Sequence, residues 1–172
     1  MIDAIITEEI LGVEETIGLS IDDCKIRQAV RIIIFHDNKI AIIKTGKGFL
    51  MIPGGGVDEG ETKEEAAYRE SMEETGCEIV NLRYLGQIVE NRLRNQQIAT
   101  TYAFIANAKN LGGLNLEADE IEEGHELIRM SLDEAYEKIS ELYNISQHKQ
   151  GRSVSMREKI ILAYVMENLE NL

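Results

Sequence analysis

The chain has 172 residues, 44% of them hydrophobic and 28% charged, which is an ordinary composition for one soluble globular domain. Its formal net charge is −13. An acidic surface of this kind repels nucleic-acid phosphates, which argues against a protein that binds duplexes. Acidic residues outside a motif are most simply solvated surface. We expect a single domain over residues 1–172.

The cysteines and the N-terminus indicate a cellular location. Cys24 and Cys77 show no paired spacing, so we expect no disulfide framework and favour a reducing cytoplasm. The first residues reach Glu8 and Glu9 without the basic and apolar regions of a signal peptide. No apolar run approaches the ~18 residues of a membrane helix. We therefore expect no membrane association.

The N-terminal part of the chain predicts short strands. Residues 1–25 mix acidic and apolar side chains without a clear period, which indicates an N-terminal arm with one short strand or turn. Residues 27–35 have β-branched residues as their largest class and predict a strand. A polar turn joins it to a second strand at 40–43, as in a hairpin. A shorter apolar strand at 49–52 ends at Pro53 and three glycines.

Residues 62–75 predict the main helix of the chain. Thr62 and Glu65 have the spacing of a capping box, in which each residue satisfies a backbone N–H of the other. Gly76 can end the helix in a left-handed conformation.

The rest of the sequence predicts two strands, at residues 79–90 and 97–108, and then a loop rich in Gly and Glu at 109–126. A short helix is predicted at 132–143, a surface loop at 147–153 and an amphipathic helix at 154–169. In the terminal helix the apolar spacing directs five residues to the core, namely Met156, Ile160, Ala163, Tyr164 and Val165. Strands alternate with few helices, which predicts an α+β fold with a mixed sheet between helices.

Three carboxylates stand on one face of the main helix. Glu70, Glu73 and Glu74 are spaced i, i+3 and i+4, within an arc of about 100°. Like charges at this spacing destabilise an isolated helix by a few tenths of a kcal/mol per pair, roughly. A divalent cation reverses that effect, and magnesium and manganese prefer such hard oxygen ligands.

A glycine turn and an arginine complete the pattern. Gly54 and its two successors allow the backbone to approach a ligand closely, and a carbonyl there could bind a metal ion. Arg69 directly precedes Glu70 and can hold carboxylates by a forked ion pair, with Glu61 at the helix entrance as its obvious partner. Bound cations would neutralise a diphosphate, orient it and acidify an attacking water, so no nucleophilic side chain is required.

This stretch resembles the signature of the Nudix hydrolase family. Its seven fixed positions are matched in register by Gly55, Glu61, Arg69, Glu70, Glu73, Glu74 and Gly76. Two aliphatic positions depart and hold Ser71 and Cys77, which we expect to affect packing more than catalysis. An acidic, solvated helix after a glycine turn would not explain seven positions in register.

The resemblance implies a fold and a site. It implies an α/β/α sandwich in which the box, residues 55–77, forms a loop, a helix and a loop. It implies that Glu70, Glu73 and Glu74 bind Mg²⁺, or alternatively Mn²⁺, together with the carbonyl of Gly54 or Gly55. We take Glu73 and Glu70 as catalytic.

Two further groups are candidates outside the box. By the resemblance, an additional glutamate in a loop before a strand binds a further metal or activates water. Glu120, Glu122 and Glu123 all precede a strand-like segment at 126–130, and Glu123 is our first choice by its distance from residues 130–132; a solvated loop is the alternative. Arg92, Arg94 and Gln96 could contact substrate phosphates, and a solvated strand connection is an equal alternative.

The resemblance implies hydrolysis of a nucleoside diphosphate linkage in a small nucleotide-like substrate. Marks of subfamilies acting on ADP-ribose or dinucleoside polyphosphates are missing, since the only proline is Pro53 and no tyrosine stands at the expected distance after the box. We therefore favour a nucleoside triphosphate, intact or damaged. The alternatives are a nucleotide-binding sensor without hydrolysis and a hydrolase of ADP-ribose or sugar nucleotides. The oligomeric state stays open, a homodimer being one option.

Overall fold

A computed structural model of the chain describes residues 1–12, 21–110, 124–146 and 149–172. Seven strands in these ranges run over Ile2–Ile6 (β1), Lys25–His36 (β2), Lys39–Lys44 (β3), Leu50–Met51 (β4), Ile79–Arg92 (β5), Gln97–Ala108 (β6) and Glu126–Met130 (β7). The α-helices run over Lys63–Thr75 (α1), Leu132–Ile145 (α2) and Lys149–Asn168 (α3), and 3-10 turns over Ile21–Asp23, Leu93–Asn95 and Leu169–Asn171. None of the described helices combines the length and the apolar character needed to cross a bilayer.

The strands form one mixed sheet in the order β1-β5-β6-β2-β3-β4, and β7 also pairs with β3. β1 is parallel to β5 and β2 is parallel to β6, while the other pairs are antiparallel. The long ladders β2/β6 and β5/β6 form the centre of the sheet. The predicted mixed sheet is thus confirmed, and the N-terminal arm contributes its one short strand as an edge.

The glycine turn is inserted beside β2. Strands β2 and β3 pair only next to their connecting turn. Farther along β2, Ile32 and Val30 donate their backbone N–H groups to the carbonyls of Pro53 and Gly55, both at 2.9 Å. The backbone of the glycine turn therefore satisfies hydrogen bonds of a central strand, which fixes its position relative to the sheet.

Helices cover both faces of the sheet. On one face, α1 packs Ala66 and Ala67 against Val30, Ile32 and Ile34 of β2. On the other face, α2 and α3 pack against the alternate side chains of the strands, in a core that includes Ile33, Ile42, Ile88, Ile139, Ile161 and Leu162. Side chains that alternate along β2 thus enter two separate cores. This arrangement confirms the expected α/β/α sandwich.

The start of the terminal helix differs from the prediction. Residues 149–153 are helical, whereas a surface loop was expected over residues 147–153. Tertiary contacts explain the difference. A Cβ at Gly151 would lie 2.7 Å from Cε1 of Phe49, and the Ser153 hydroxyl donates to Glu90 at 2.6 Å. These partners are remote in sequence, so local pattern did not reveal them.

The face of α3 that packs on the core includes charged residues that were not predicted. Val165 is fully buried, and Met156, Ile160 and Tyr164 are partly buried and pack against the core, as predicted; Ala163 is partly buried. The other buried positions in this part of the helix are Arg157, Glu158, Ile161 and Leu162. The apolar pattern did not place Arg157 and Glu158 in the core, because they are charged and bury their charges in ion pairs.

Candidate active site

The three glutamates lie on α1, whose ends are fixed by local sequence. The Thr62 hydroxyl accepts from the N–H of Glu65 at 3.2 Å, and Glu65 Oε2 accepts from the N–H of Thr62 at 2.8 Å. This is the predicted capping box. Gly76 ends the helix at φ 62° and donates its N–H to the carbonyl of Met72. The predicted ends of the helix are therefore confirmed.

Arg69 joins the acidic side chains of the box. Its Nη1 donates to Glu70 Oε1 and Glu73 Oε2, both at 2.8 Å. Its Nε and Nη2 donate to the two oxygens of Glu61, both at 3.0 Å, in the predicted forked pair. Nη2 also donates to the carbonyl of Gly56 at 2.8 Å. The hydrogen bond with Glu61 is the largest cause that raises the pKa of Arg69, and it lowers the pKa of Glu61.

Glu74 connects the helix to the glycine turn. This residue is 4% exposed, and its Oε2 accepts from the N–H of Gly54 at 2.6 Å. Gly54 has φ 137°, and a Cβ there would lie 2.9 Å from the carbonyl carbon of Val30. Glycine is therefore required by both conformation and space.

The two backbone carbonyls expected to reach a metal ion already accept hydrogen bonds. The carbonyl of Gly54 accepts from Nη1 of Arg31, and the carbonyl of Gly55 accepts from the N–H of Val30. A carbonyl oxygen has two lone pairs, so one remains on each. The prediction that one of them binds a metal ion stays open to test.

The carboxylate of Glu70 lies directly on the glycine turn. Glu70 is 7% exposed, and a Cβ at Gly55 would lie 2.7 Å from its Cδ and would overlap its nearer oxygen. Burial raises the pKa of Glu70, while the hydrogen bond from Arg69 opposes that shift. The absent side chain at Gly55 thus makes room for this carboxylate.

The donor chemistry of the site suits a hard divalent cation. Glu70, Glu73 and Glu74 offer carboxylate oxygens alone, which magnesium and manganese prefer. Glu70 and Glu73 both accept from Nη1 of Arg69, whereas Glu74 accepts from the N–H of Gly54. In the part of the chain that the structure describes, no three Asp, Glu, His or Cys side chains are grouped to hold a metal ion. The three glutamates are the residues that would hold it, and Arg69 competes for two of them.

The remaining predicted residues lie apart or outside the description. Glu123, with Glu120 and Glu122, lies outside the described residues, as does the side chain of Arg94. Gln96 is exposed and has a left-handed backbone conformation at the turn before β6. Arg92 donates to both oxygens of Glu90 at 3.1 Å.

Sequence reasoning missed a buried ionic cluster beside the site. Arg157 and Glu158 of α3 are 4% and 0% exposed, and Arg157 donates to Glu158 and to Glu90 of β5. Arg31 of β2 is also buried, and its Nε lies 3.5 Å from Glu158 Oε1. One feature of the sequence could have indicated the cluster: Arg31 is a charged residue within the apolar run of β2.

Comparison with known proteins decides the family. The family model for the NUDIX domain matches residues 25–149. The chain belongs to the NUDIX domain family. This match includes the glycine turn and all of α1, so the box described above is that of a NUDIX domain.

Individual relatives of this NUDIX chain match parts of it. It is 34% identical to an RNA pyrophosphohydrolase of Sulfurovum sp. (strain NBC37-1), over 51% of this chain and 62% of that protein. It is 54% identical to an ADP-ribose pyrophosphatase of Methanocaldococcus jannaschii, over 28% of this chain and 31% of that protein. The chain thus spans less than two thirds of either relative. A MutT NUDIX hydrolase structure from Burkholderia pseudomallei is 27% identical, with a TM-score of 0.54, over 63% of this chain and 85% of that one.

Replacing Gly55 by Ala is expected to lower kcat by about 100-fold, because the new Cβ displaces the Glu70 carboxylate and an error of about 1 Å can cost that much. The matched control is Gly56→Ala, since a Cβ at Gly56 meets nothing within 4 Å. Steady-state hydrolysis and thermal melting of both variants provide the measurement. Equal activity of the two variants would show that the contact between Gly55 and Glu70 does not matter.

Proposed function

We propose that this protein is a magnesium-dependent hydrolase of nucleoside diphosphate linkages, acting on a nucleoside triphosphate, intact or damaged, to give a monophosphate and pyrophosphate. The observation that carries the proposal is the intact box, in which Glu70 and Glu74 of α1 contact the glycine turn and Arg69 holds Glu70 and Glu73. Membership of the NUDIX family and the pyrophosphate-cleaving names of its relatives support the reaction class. We also propose a cytoplasmic location, on the cysteine content alone.

The residues of the box have distinct proposed roles. A bound magnesium ion would neutralise the diphosphate and acidify the attacking water. Glu70, Glu73 and Glu74 hold that ion, and one carbonyl of the glycine turn assists. Glu73, Glu70 and Glu123 are proposed to take up the proton of the attacking water. Arg69 is a positioning residue, because it fixes Glu70 and Glu73 and is itself fixed by Glu61.

Two alternatives differ in class. A sensor that binds nucleotides without cutting them would not need all three glutamates, so the intact set disfavours it. A hydrolase of ADP-ribose or sugar nucleotides is the second candidate. It is favoured by the ADP-ribose pyrophosphatase relative, which is 54% identical over 52 residues. The triphosphate hypothesis and the ADP-ribose or sugar-nucleotide hypothesis use the same box and differ only in the groups attached to the diphosphate.

Hydrolysis is expected to require a divalent cation, because the box offers acidic oxygens and no nucleophile. Excess EDTA should abolish turnover, and added Mg²⁺ or Mn²⁺ should restore it. Magnesium should also raise the melting temperature, since it binds a site that the unfolded chain lacks. Full turnover in EDTA would refute the metal mechanism, and an unchanged melting temperature at high magnesium would count against a preformed site.

A substrate panel tests the proposed specificity. It contains canonical and oxidised nucleoside triphosphates, ADP-ribose, a sugar nucleotide and a dinucleoside polyphosphate, with all products identified. We expect the highest kcat/KM for a triphosphate. A preference of tenfold or more for ADP-ribose or the dinucleotide, about 1.4 kcal/mol of transition-state stabilisation, would overturn the substrate assignment while leaving the hydrolase intact.

A further inference from the structure

An arginine-lined cavity lies next to the glycine turn, on the face of the sheet that α3 covers. Its volume is about 400 Å³, which is within the range of small-molecule sites. Its charged lining residues come from the N-terminal arm, β2, β5 and α3, and they are Glu8, Arg27, Arg31, Glu90, Arg92 and Arg157. We call it the arginine cavity.

The charges around the arginine cavity do not cancel. Four arginines line it against Glu8 and Glu90, with Glu158 behind the wall, which leaves one positive charge in excess in a chain of net charge −13. Arg157 is held between Glu90 and Glu158. The charge of Arg157 is therefore neutralised by its own carboxylate partners, and the excess positive charge lies on the other arginines of the cavity.

Arg27 is the arginine of this cavity that has no carboxylate within ion-pair distance among the described residues. It is exposed, and among the described residues it forms no hydrogen bond or ion pair. Desolvation lowers the pKa of Arg27, the charges of Arg92 and Arg157 lower it further, and the charges of Glu90 and Glu70 oppose that shift. A guanidinium that has no close carboxylate and stands near two other guanidinium groups is a suitable partner for an anion.

The arginine cavity adjoins the box through the glycine turn. Arg31 donates to the carbonyl of Gly54, whose own N–H donates to Glu74. Arg27 also feels the charge of Glu70. In the sheet, Arg27, Ala99 and Glu90 are direct cross-strand neighbours on β2, β6 and β5, so they share one face. The glycine turn therefore connects the arginine cavity, through Arg31, to the carboxylate of Glu74 in the box.

We propose that the arginine cavity is an anion subsite that takes a phosphate group of the substrate outside the hydrolysed linkage, with Arg27 as the binding residue. This inference rests on the proposed function and sharpens it, because a triphosphate has such an extra phosphate and ADP-ribose does not. Guanidinium groups suit phosphate, since their planar donors match its oxygens. Arg27 is thereby assigned as a residue that favours triphosphates over simple diphosphate esters.

Binding of inorganic pyrophosphate in EDTA tests the subsite without metal and without hydrolysis. Calorimetry should show about tenfold weaker binding to Arg27→Gln, since a charged hydrogen bond is worth at least that factor. Arg27→Lys should retain most of the affinity. Arg83→Gln, an equal charge change at the exposed start of β5, should bind like the unaltered protein.

Two outcomes would overturn the subsite. One is equal affinity of Arg27→Gln and the unaltered protein. The other is amide shifts on pyrophosphate titration, in an NMR spectrum of the unaltered protein, that avoid Asn91, Asn95 and Ser153 of the cavity wall. The second readout requires no variant to fold. A lack of hydrolysis with intact pyrophosphate binding would refute the proposed function and leave the subsite standing.

Discussion

Replacing Glu73 by Gln is expected to lower kcat by about 100-fold or more while leaving the fold intact. Glutamine keeps the size of the side chain but loses the charge that would hold a divalent cation, and changes even at groups that merely support metal ligands cost 10–100-fold, roughly. The side chain of Glu73 is 27% exposed and its described contact is with Arg69. Stability should therefore change little.

Glu74→Gln is expected to have a similar effect on kcat, because it also loses a charge that would hold the cation. The fold should be kept, because the amide oxygen can still accept from the N–H of Gly54. Glu64→Gln is the matched control, since Glu64 lies on the same helix, is exposed and undergoes the same change of charge. Phosphate or pyrophosphate release is measured together with thermal melting. A rate for Glu73→Gln within twofold of the control would show that the box does not hold the metal ion here.

The box could be predicted from sequence because its physics is local. The glycine turn, the cap at Thr62 and the carboxylates of α1 lie within one short stretch, so spacing alone brings them together. The pair of Arg69 and Glu61 follows from the same short range. A helix with fixed ends converts positions in sequence into positions in space, and a signature can record that relation.

The arrangement around the box could not be predicted, because its partners are far apart in sequence. Arg31 reaches the carbonyl of Gly54, 23 residues on, and Arg157 reaches Glu90, 67 residues away. The amphipathic pattern of α3 predicts that charged residues such as Arg157 and Glu158 face solvent. In the fold those charges face each other, which a rule based on apolar spacing alone does not anticipate.

Strand β1 illustrates an intermediate case. The mixture of acidic and apolar residues at the N-terminus permitted one strand but did not indicate its partner. In the fold β1 lies parallel to β5, and a Cβ at Gly86, which has φ 137°, would lie 2.7 Å from the carbonyl carbon of Ile2. An isolated glycine within a strand is a known mark of close backbone approach. The sequence contained the signal, although not the identity of the approaching chain.

Replacing Arg157 by Met is expected to destabilise the fold by about 3–5 kcal/mol, the cost of leaving buried carboxylates without their partner. Arg157 is 4% exposed, and its partners Glu90 and Glu158 are 1% and 0% exposed. Arg92 and Ser153 still contact Glu90 in the variant, but Glu158 loses its closest cation. Urea unfolding at pH 7 provides the measurement.

The control for Arg157→Met is Lys138→Met, which removes the same charge from an exposed pair. Lys138 and Glu134 are about half exposed and lie 3.7 Å apart. Exposed pairs of this kind contribute about 0–1 kcal/mol. A loss at Arg157 no larger than the loss at Lys138 would show that the cluster is hydrated in solution.

The destabilisation in Arg157→Met should shrink as the pH falls. Burial alone would raise the pKa of Glu90, but Arg157 and then Arg92 hold it below the ordinary value of 4.5. A depressed pKa stabilises the fold above the unfolded value, and that contribution is lost as the pH falls through the folded value. In the variant the main cation beside Glu90 is removed, so the pKa of Glu90 rises. Protonation then relieves the unpaired carboxylate at a pH where the unaltered protein still holds it charged.

The urea midpoints of Arg157→Met and of the unaltered protein should therefore converge between pH 7 and pH 4.5. A difference between the two midpoints that widens over this range would contradict the assignment of Arg157 as the main partner of Glu90.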